Sequence, residues 1–138
     1  MKILITGGCG FIGSNLINKL LSYKNYKILN LDKINYASNI NLNNVFLKNK
    51  NYKFKKVDLK NANLLDKIII NFKPNYVFHL AAESHVDRSI EDPKVFLESN
   101  VIGTFNLLES IRKYLKKKHH MKNLLDFIIY LLMKFLEI

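Results

Sequence analysis

Three glycines, Gly7, Gly10 and Gly13, stand at a Gly-x-x-Gly-x-x-Gly spacing in the segment TGGCGFIG, and Asp32 follows nineteen residues after the last of them. Without a Cβ, a glycine can take positive φ, turn tightly and let a ligand touch bare backbone. Where such a cluster leads from a strand into a helix, a dinucleotide's pyrophosphate can meet the free N–H groups and partial positive charge of the helix start. A carboxylate about twenty residues on is placed to accept hydrogen bonds from both ribose hydroxyls, and its charge repels a 2′-phosphate, so the pair predicts NAD over NADP. The same residues also fit a flexible turn, with Asp32 as a helix or turn cap. Asp58 could receive an adenine amino group or stand in a solvated loop. The single cysteine, Cys9, reads as a small packing residue and not as a nucleophile.

These residues need a framework of alternating strands and helices. Lys2 to Thr6 (KILIT) is a short apolar strand, and the stretch from Phe11 to Ser22 that follows the glycines has helical period. Lys27 to Asp32 (KILNLD) is a second buried strand, after which Lys33 to Asn51 is a long polar connection with room for a short helix. Tyr52 to Val57 alternates ring or branched residues with lysine, as a strand near a sheet edge does. Ala62 to Phe72 is helical, closed by Lys73 and Pro74, and Tyr76 to Ala81 is a strand covered on both faces. Asp92 and Pro93 cap and open a long helix with Val95, Phe96, Val101, Phe105, Leu108 and Ile111 on one side. Strand–helix alternation of this kind predicts an α/β fold: a Rossmann-type, doubly wound parallel sheet.

Composition narrows the function classes. The chain has 138 residues, 49% of them hydrophobic, which suits one globular domain. One cysteine allows no internal disulfide and suits a reducing, cytoplasmic setting. A net charge of +11 would ordinarily suggest nucleic acid or an anionic membrane. Lysine, however, outnumbers arginine twenty to two, with eighteen Asn and sixteen Ile, as adenine- and thymine-rich codons produce. With bidentate arginine almost absent, neither a nucleic-acid partner nor a membrane partner is expected. The apolar run Ile3 to Ile5 is too short for a signal peptide, and the tail Leu124 to Ile138 is interrupted by charge and too short for a bilayer span.

Other candidates for chemistry have plainer explanations. His79, inside a strand, reads as a satisfied buried imidazole. His85, Asp87 and Arg88 follow that strand's C-terminal end, where ligands gather, although Arg88 could equally pair with Asp87, Glu91 or Asp92. The basic run Lys116 to Lys118, His119, His120 and Lys122 reads as a solvated helix end, and no metal site is expected.

TGGCGFIG, LNLDKINYAS around Asp32, VDL at Val57 to Leu59, and above all HLAAESHVDRSIEDP with ESNVIGTFNLLE resemble the N-terminal half of the dTDP-glucose 4,6-dehydratase family of extended short-chain dehydrogenases/reductases. The resemblance covers about residues 1 to 118. It implies that Gly7, Gly10, Phe11, Ile12 and Gly13 form the loop over the pyrophosphate of NAD, that Asp32, Lys33, Ile34 and Asn35 hold the adenosine ribose, and that Asp58 and Leu59 contact adenine. It places Leu80, Ala81, Ala82, Glu83 and Ser84 under the nicotinamide half, with Ser84 also facing the sugar of the nucleotide-sugar substrate, dTDP-glucose. Ser99 stands where the family usually has threonine, and Cys9 where alanine is usual. The implied reaction is an internal redox cycle: NAD takes hydride from C4 of the glucose, water leaves across C5 and C6, and the hydride returns to C6. A homodimer through the long helix from Pro93 is implied for the full-length parent.

The family's Tyr-x-x-x-Lys motif and Asp-Glu pair are expected to be missing from this chain. The pairs Tyr23/Lys27, Tyr52/Lys56, Tyr114/Lys118 and Tyr130/Lys134 fall in the wrong places, so no catalytic residue is assigned. Where the family block Ser-Thr-Asp-Glu should follow a fifth strand, the chain reads FIIYLLMKFLEI. The Met133 and Lys134 codons read one nucleotide earlier force a glutamate, and neighbouring codons permit the rest of the family block. The reading is therefore residues 1–122 as a partial NAD-binding domain and 123–138 as an apolar tail, out of frame from near Met121 to Leu125, with the chain inactive alone. Tail residues Phe127 to Leu132 fit either a fifth strand or an apolar helix.

Overall fold

A computed structural model describes residues 1–117 and, for the backbone, 129–131. Its strands are β1 (Lys2–Thr6), β2 (Lys27–Asp32), β3 (Tyr52–Lys56), β4 (Tyr76–His79) and β5 (Ile129–Leu131). They form one parallel sheet in the order β3-β2-β1-β4-β5. The helices are α1 (Phe11–Leu21), α2 (Ile40–Phe46), α3 (Ala62–Phe72), α4 (Val86–Glu91), α5 (Pro93–Phe96) and α6 (Gly103–Lys117). The chain steps outward from β1 to β2 and β3, then returns to the other flank of β1 with β4. Strand order thus reverses at β1, and a crevice opens beyond the strand ends there.

Alternation along the strands feeds two apolar layers. Leu4, Leu29, Leu31 and Val77 pack with Leu65, Ile69, Leu107 and Ile111 of α3 and α6 on one face. Ile3, Ile5 and Ile28 pack with Ile17 of α1 and with Phe46 and Tyr52 on the other. Neighbours one apart in β1 thus belong to opposite cores, as expected for a strand buried on both sides. β3 lies at the sheet edge, its residues Lys53, Lys55 and Lys56 exposed. Across the helical layer, Asp66 of α3 accepts hydrogen bonds from Ser110 Oγ and Lys113 Nζ of α6, and these hold its carboxyl below the usual range.

Several sequence readings change in detail. The connection after β2 contains α2, whose N-cap Asn39 accepts from the Leu42 amide at 3.0 Å. β4 ends at His79 and not at Ala81. The helix from Pro93 is not continuous: Leu97–Ile102 is a π-helical turn between α5 and α6. The apolar side read for that helix is also corrected. Ile111 is buried, but Val95, Val101, Phe105 and Leu108 are exposed, and the covered stripe runs through Gly103, Leu107, Ser110, Ile111 and Tyr114. The extra residue of a π turn shifts the helical phase, so a 3.6-residue pattern cannot be carried across it. In the tail, Ile129–Leu131 pairs with β4 as a parallel strand, the first of the two alternatives. The rest of the tail, and the proposed change of frame near Met121 to Leu125, lie outside the described residues.

Candidate functional site

The glycine segment crosses from β1 to α1 at the reversal of strand order. Gly7 sits at φ +73°, and a Cβ there would lie 2.5 Å from the Ala81 amide nitrogen. Gly13, in the first turn of α1, lies against the Gly7 carbonyl oxygen and the Gly8 Cα, so any Cβ would collide with backbone. Gly10 differs. A Cβ there would meet only the Gly7 oxygen, at 3.4 Å, and its backbone is extended at φ −73°. Nothing in the chain itself requires glycine at this position, which lies on the wall of the crevice. The space left open is therefore available to something outside the chain.

Helix capping points the same way. Asn39, Asn61 and Asp92 each turn a side-chain oxygen onto the first turn of α2, α3 and α5. The N-cap of α1 is Gly10, which offers no side chain, so the leading N–H groups of this eleven-residue helix are left for an external acceptor. A pyrophosphate fits that cradle in charge and in the room it needs.

Asp32 closes the adjoining wall. Its carboxylate is buried, accepting from the Cys9 amide at Oδ2 and from the Ile34 amide at Oδ1, both at 2.9 Å. Each oxygen keeps a further acceptor position. The bond to Ile34 holds that residue at φ +59°, a left-handed conformation costly for a β-branched side chain. The crevice is lined by Gly7, Gly10, Asp32, Lys33, Asn35, Asp58, Leu59, Leu80, Ala81, Ala82 and Ser99 among the residues named from sequence. Leu31, Ala37, Ser38 and Val57 also line it; they lie within the segments LNLDKINYAS and VDL, but no role for them is read from sequence. Asp58 accepts from the Lys60 amide at 2.9 Å, so it also acts as a turn cap. Phe11, Ile12, Gly13, Ile34, Glu83 and Ser84 are not on the lining. Phe11 and Ile12 are exposed beside the glycine turn, and Ser84 is exposed beyond β4. Ser99 enters the lining from the π turn.

Glu83 and Asn100 supply contacts that spacing did not reveal. Glu83 Oε1 lies 2.5 Å from Lys33 Nζ and accepts from Asn35 Nδ2 at 3.2 Å. Asn100, also on the π turn, accepts from the Glu83 amide at 2.8 Å and donates to its carbonyl at 2.9 Å. Below the glycine loop, the fully buried Asn30 accepts from the Gly8 amide at 3.0 Å and donates to Tyr52 Oη at 2.9 Å, while Tyr52 donates to Asn43 at 2.6 Å. Burial pushes the Tyr52 hydroxyl up, so it is no proton acceptor with Lys56. Burial, with Asp32 beside it, pushes the Cys9 thiol up to about 12, as a packing residue requires. Arg88, on α4, forms no ion pair with Asp87, Glu91 or Asp92; its guanidinium stands 4.2 Å over the Tyr36 ring, which also contacts His85. Among the described residues no cluster of His, Cys, Asp and Glu could hold a metal, and no helix is long and apolar enough to cross a membrane.

His79 is buried, with Thr6 Oγ1 2.6 Å from Nδ1 and Thr104 Oγ1 2.8 Å from Nε2. Desolvation pushes its pKa down to about 4, so the imidazole is neutral and structural. Unfolded, it would take a proton near 6.5. The unfolded chain therefore binds the extra proton between these values. This contribution to stability is complete above pH 6.5 and is lost as the pH falls toward 4. Urea unfolding at pH 5 should show a loss of about 2 kcal/mol from this group relative to pH 7.5. The ring's Cε1 proton resonance should titrate near 4; titration near 6.5 would show a hydrated imidazole instead.

Residues 4–125 match the family model described as GDP-mannose 4,6 dehydratase. The chain is 43% identical over 114 residues to dTDP-glucose 4,6-dehydratase of Escherichia coli, an alignment covering 83% of this chain and 32% of that protein. The crystal structure of dTDP-glucose 4,6-dehydratase from Bacillus anthracis in complex with NAD superposes with a TM-score of 0.71 at 41% identity, over 83% of this chain and 34% of that one. The UDP-glucose 4-epimerase of Thermotoga maritima, solved with UDP-glucose, gives 0.72 at 35% identity over 83% and 35%. The chain thus spans about a third of the length of each relative.

Proposed function

This chain belongs to the GDP-mannose 4,6 dehydratase family, and from that premise we propose that it is the NAD-binding part of a dTDP-glucose 4,6-dehydratase. The carrying observation is the crevice at the strand reversal, where uncapped α1, side-chain-free Gly10 and the fixed carboxylate of Asp32 meet. In this reading the pyrophosphate lies along Gly7, Gly10, Phe11, Ile12 and Gly13, and the adenosine ribose on Asp32, with Lys33, Ile34 and Asn35 forming its loop. Adenine lies by Asp58 and Leu59. Leu80, Ala81, Ala82, Glu83, Ser84 and Ser99 form the nicotinamide side, where Ser84 faces dTDP-glucose. NAD, when bound, supplies a reversible hydride acceptor. The described residues orient it, and we assign none of them to catalysis. Identities of 43% and 41% to dehydratases, against 35% to the epimerase, favour this activity over epimerisation.

We extend the reading to residues 1–122 as a partial dinucleotide-binding domain working in the cytoplasm in deoxysugar formation, with 123–138 out of frame. We also infer that the full-length parent is a homodimer, because the stripe of Val95, Val101, Phe105 and Leu108 is apolar and uncovered in a single chain.

Calorimetric titration of the folded chain with NAD and NADP tests the core of this reading. NAD should bind more tightly than NADP. Asp32→Ala should weaken NAD by roughly 10- to 100-fold, the value of hydrogen bonds to a charged acceptor, and should narrow the preference over NADP. Absence of NAD binding at millimolar concentration by folded protein would falsify it.

A further inference from the structure

The crevice has two walls that belong to different parts of the sheet. One is the end of β2 with the loop after it, carrying Asp32, Lys33 and Asn35; the other is the segment after β4, carrying Leu80, Ala81 and Ala82. The Glu83 side chain, only 7% exposed, belongs to the second wall, yet both its carboxylate partners, Lys33 Nζ and Asn35 Nδ2, come from the first. Its own backbone is held on both sides by Asn100 of the π turn, next to Ser99 on the lining. We propose that Glu83 is a positioning residue: its ion pair with Lys33 ties the two walls together and fixes the spacing into which a whole dinucleotide must fit. The inference rests on the dinucleotide reading and deepens it.

The physical reason lies in preorganisation. A ligand reaching from the β2 side to the β4 side can use both walls fully only if their separation is already correct, since ordering loose segments costs affinity. A buried carboxylate is suited to such a tie because leaving it without its cation is strongly unfavourable. AMP, which reaches only the β2 and β3 side, is indifferent to the separation.

The test compares NAD and AMP binding by NMR titration of the full 138-residue chain, unchanged and as Glu83→Gln, Lys33→Met and the double variant. Glu83→Gln keeps the side chain's shape and its ability to bond Asn35; Lys33→Met keeps the apolar stem and lies at a half-buried site. Each single variant should weaken NAD about tenfold, and the double variant should be no weaker than either, the non-additivity of a shared contact. In Glu83→Gln AMP affinity should stay within about twofold, and the unfolding midpoint without ligand should fall further in Lys33→Met, which leaves the carboxylate without its cation, than in Glu83→Gln, which does not. The proposal is overturned by unchanged NAD affinity, by equal losses for NAD and AMP in Glu83→Gln, or by additive losses in the double variant. If the unchanged chain binds AMP but not NAD, the dinucleotide reading itself fails before any variant is made.

Discussion

Gly13→Ala should prevent stable folding, while Gly10→Ala should fold normally and lose NAD. The two substitutions add the same methyl group three residues apart. At Gly13 the methyl meets the Gly7 carbonyl and the Gly8 Cα, which are backbone atoms that cannot rotate away. Relieving that clash requires pulling α1 off the β1 turn, and a cost of about 3 kcal/mol or more follows from overpacking against fixed neighbours. At Gly10 the methyl enters the crevice, and helix stability should change by less than about 1 kcal/mol. Urea unfolding and NAD titration on both variants check the pair. The opposite pattern, a stable Gly13→Ala with binding intact, would show that the glycine spacing reflects chance and not contact.

The second large effect belongs to Asn30. Asn30→Leu removes the acceptor for the Gly8 amide and the donor to Tyr52, and leaves both groups buried. The orphaned Gly8 amide costs about 1–3 kcal/mol, and Tyr52, which still donates to Asn43, loses one accepted bond worth about 1 kcal/mol, so a total of about 2–4 kcal/mol is expected. Tyr52→Phe should cost less, because Asn30 keeps its bond to Gly8. Equilibrium unfolding of the two variants gives the comparison; equal small losses would show that water replaces the network.

Much of this was legible from residue pattern because the determining forces are local. The apolar runs, the glycine turn and the Asp92 cap act within a few residues, and α3 has the bounds its period predicts. Asp32 was legible because the end of β2 is a fixed distance from the glycines in this fold. The remaining features depend on contacts between distant segments. Lys33 and Glu83 are fifty residues apart, and Asn30 meets Tyr52 across the sheet, so neither pairing leaves a periodic trace. The helix from Pro93 misled for a physical reason: both of its stripes are apolar, and the π turn decides which is covered. His79 was legible as a satisfied buried imidazole from its place in a strand, but its partners, two threonines from β1 and α6, come from distant segments and left no sequence trace.

The lysines along β3 have a bearing on the behaviour of many molecules together. That strand presents an open rim of backbone donors and acceptors, the kind of template on which sheets stack into fibrils. With Lys53, Lys55 and Lys56 projecting there, two rims approaching one another meet like charge before any hydrogen bond can form. This electrostatic fence has a range set by dissolved ions, about 10 Å at 0.1 M and about 3 Å at 1 M. Concentrated salt therefore lowers the barrier to edge-on stacking while leaving the buried layers of each molecule intact.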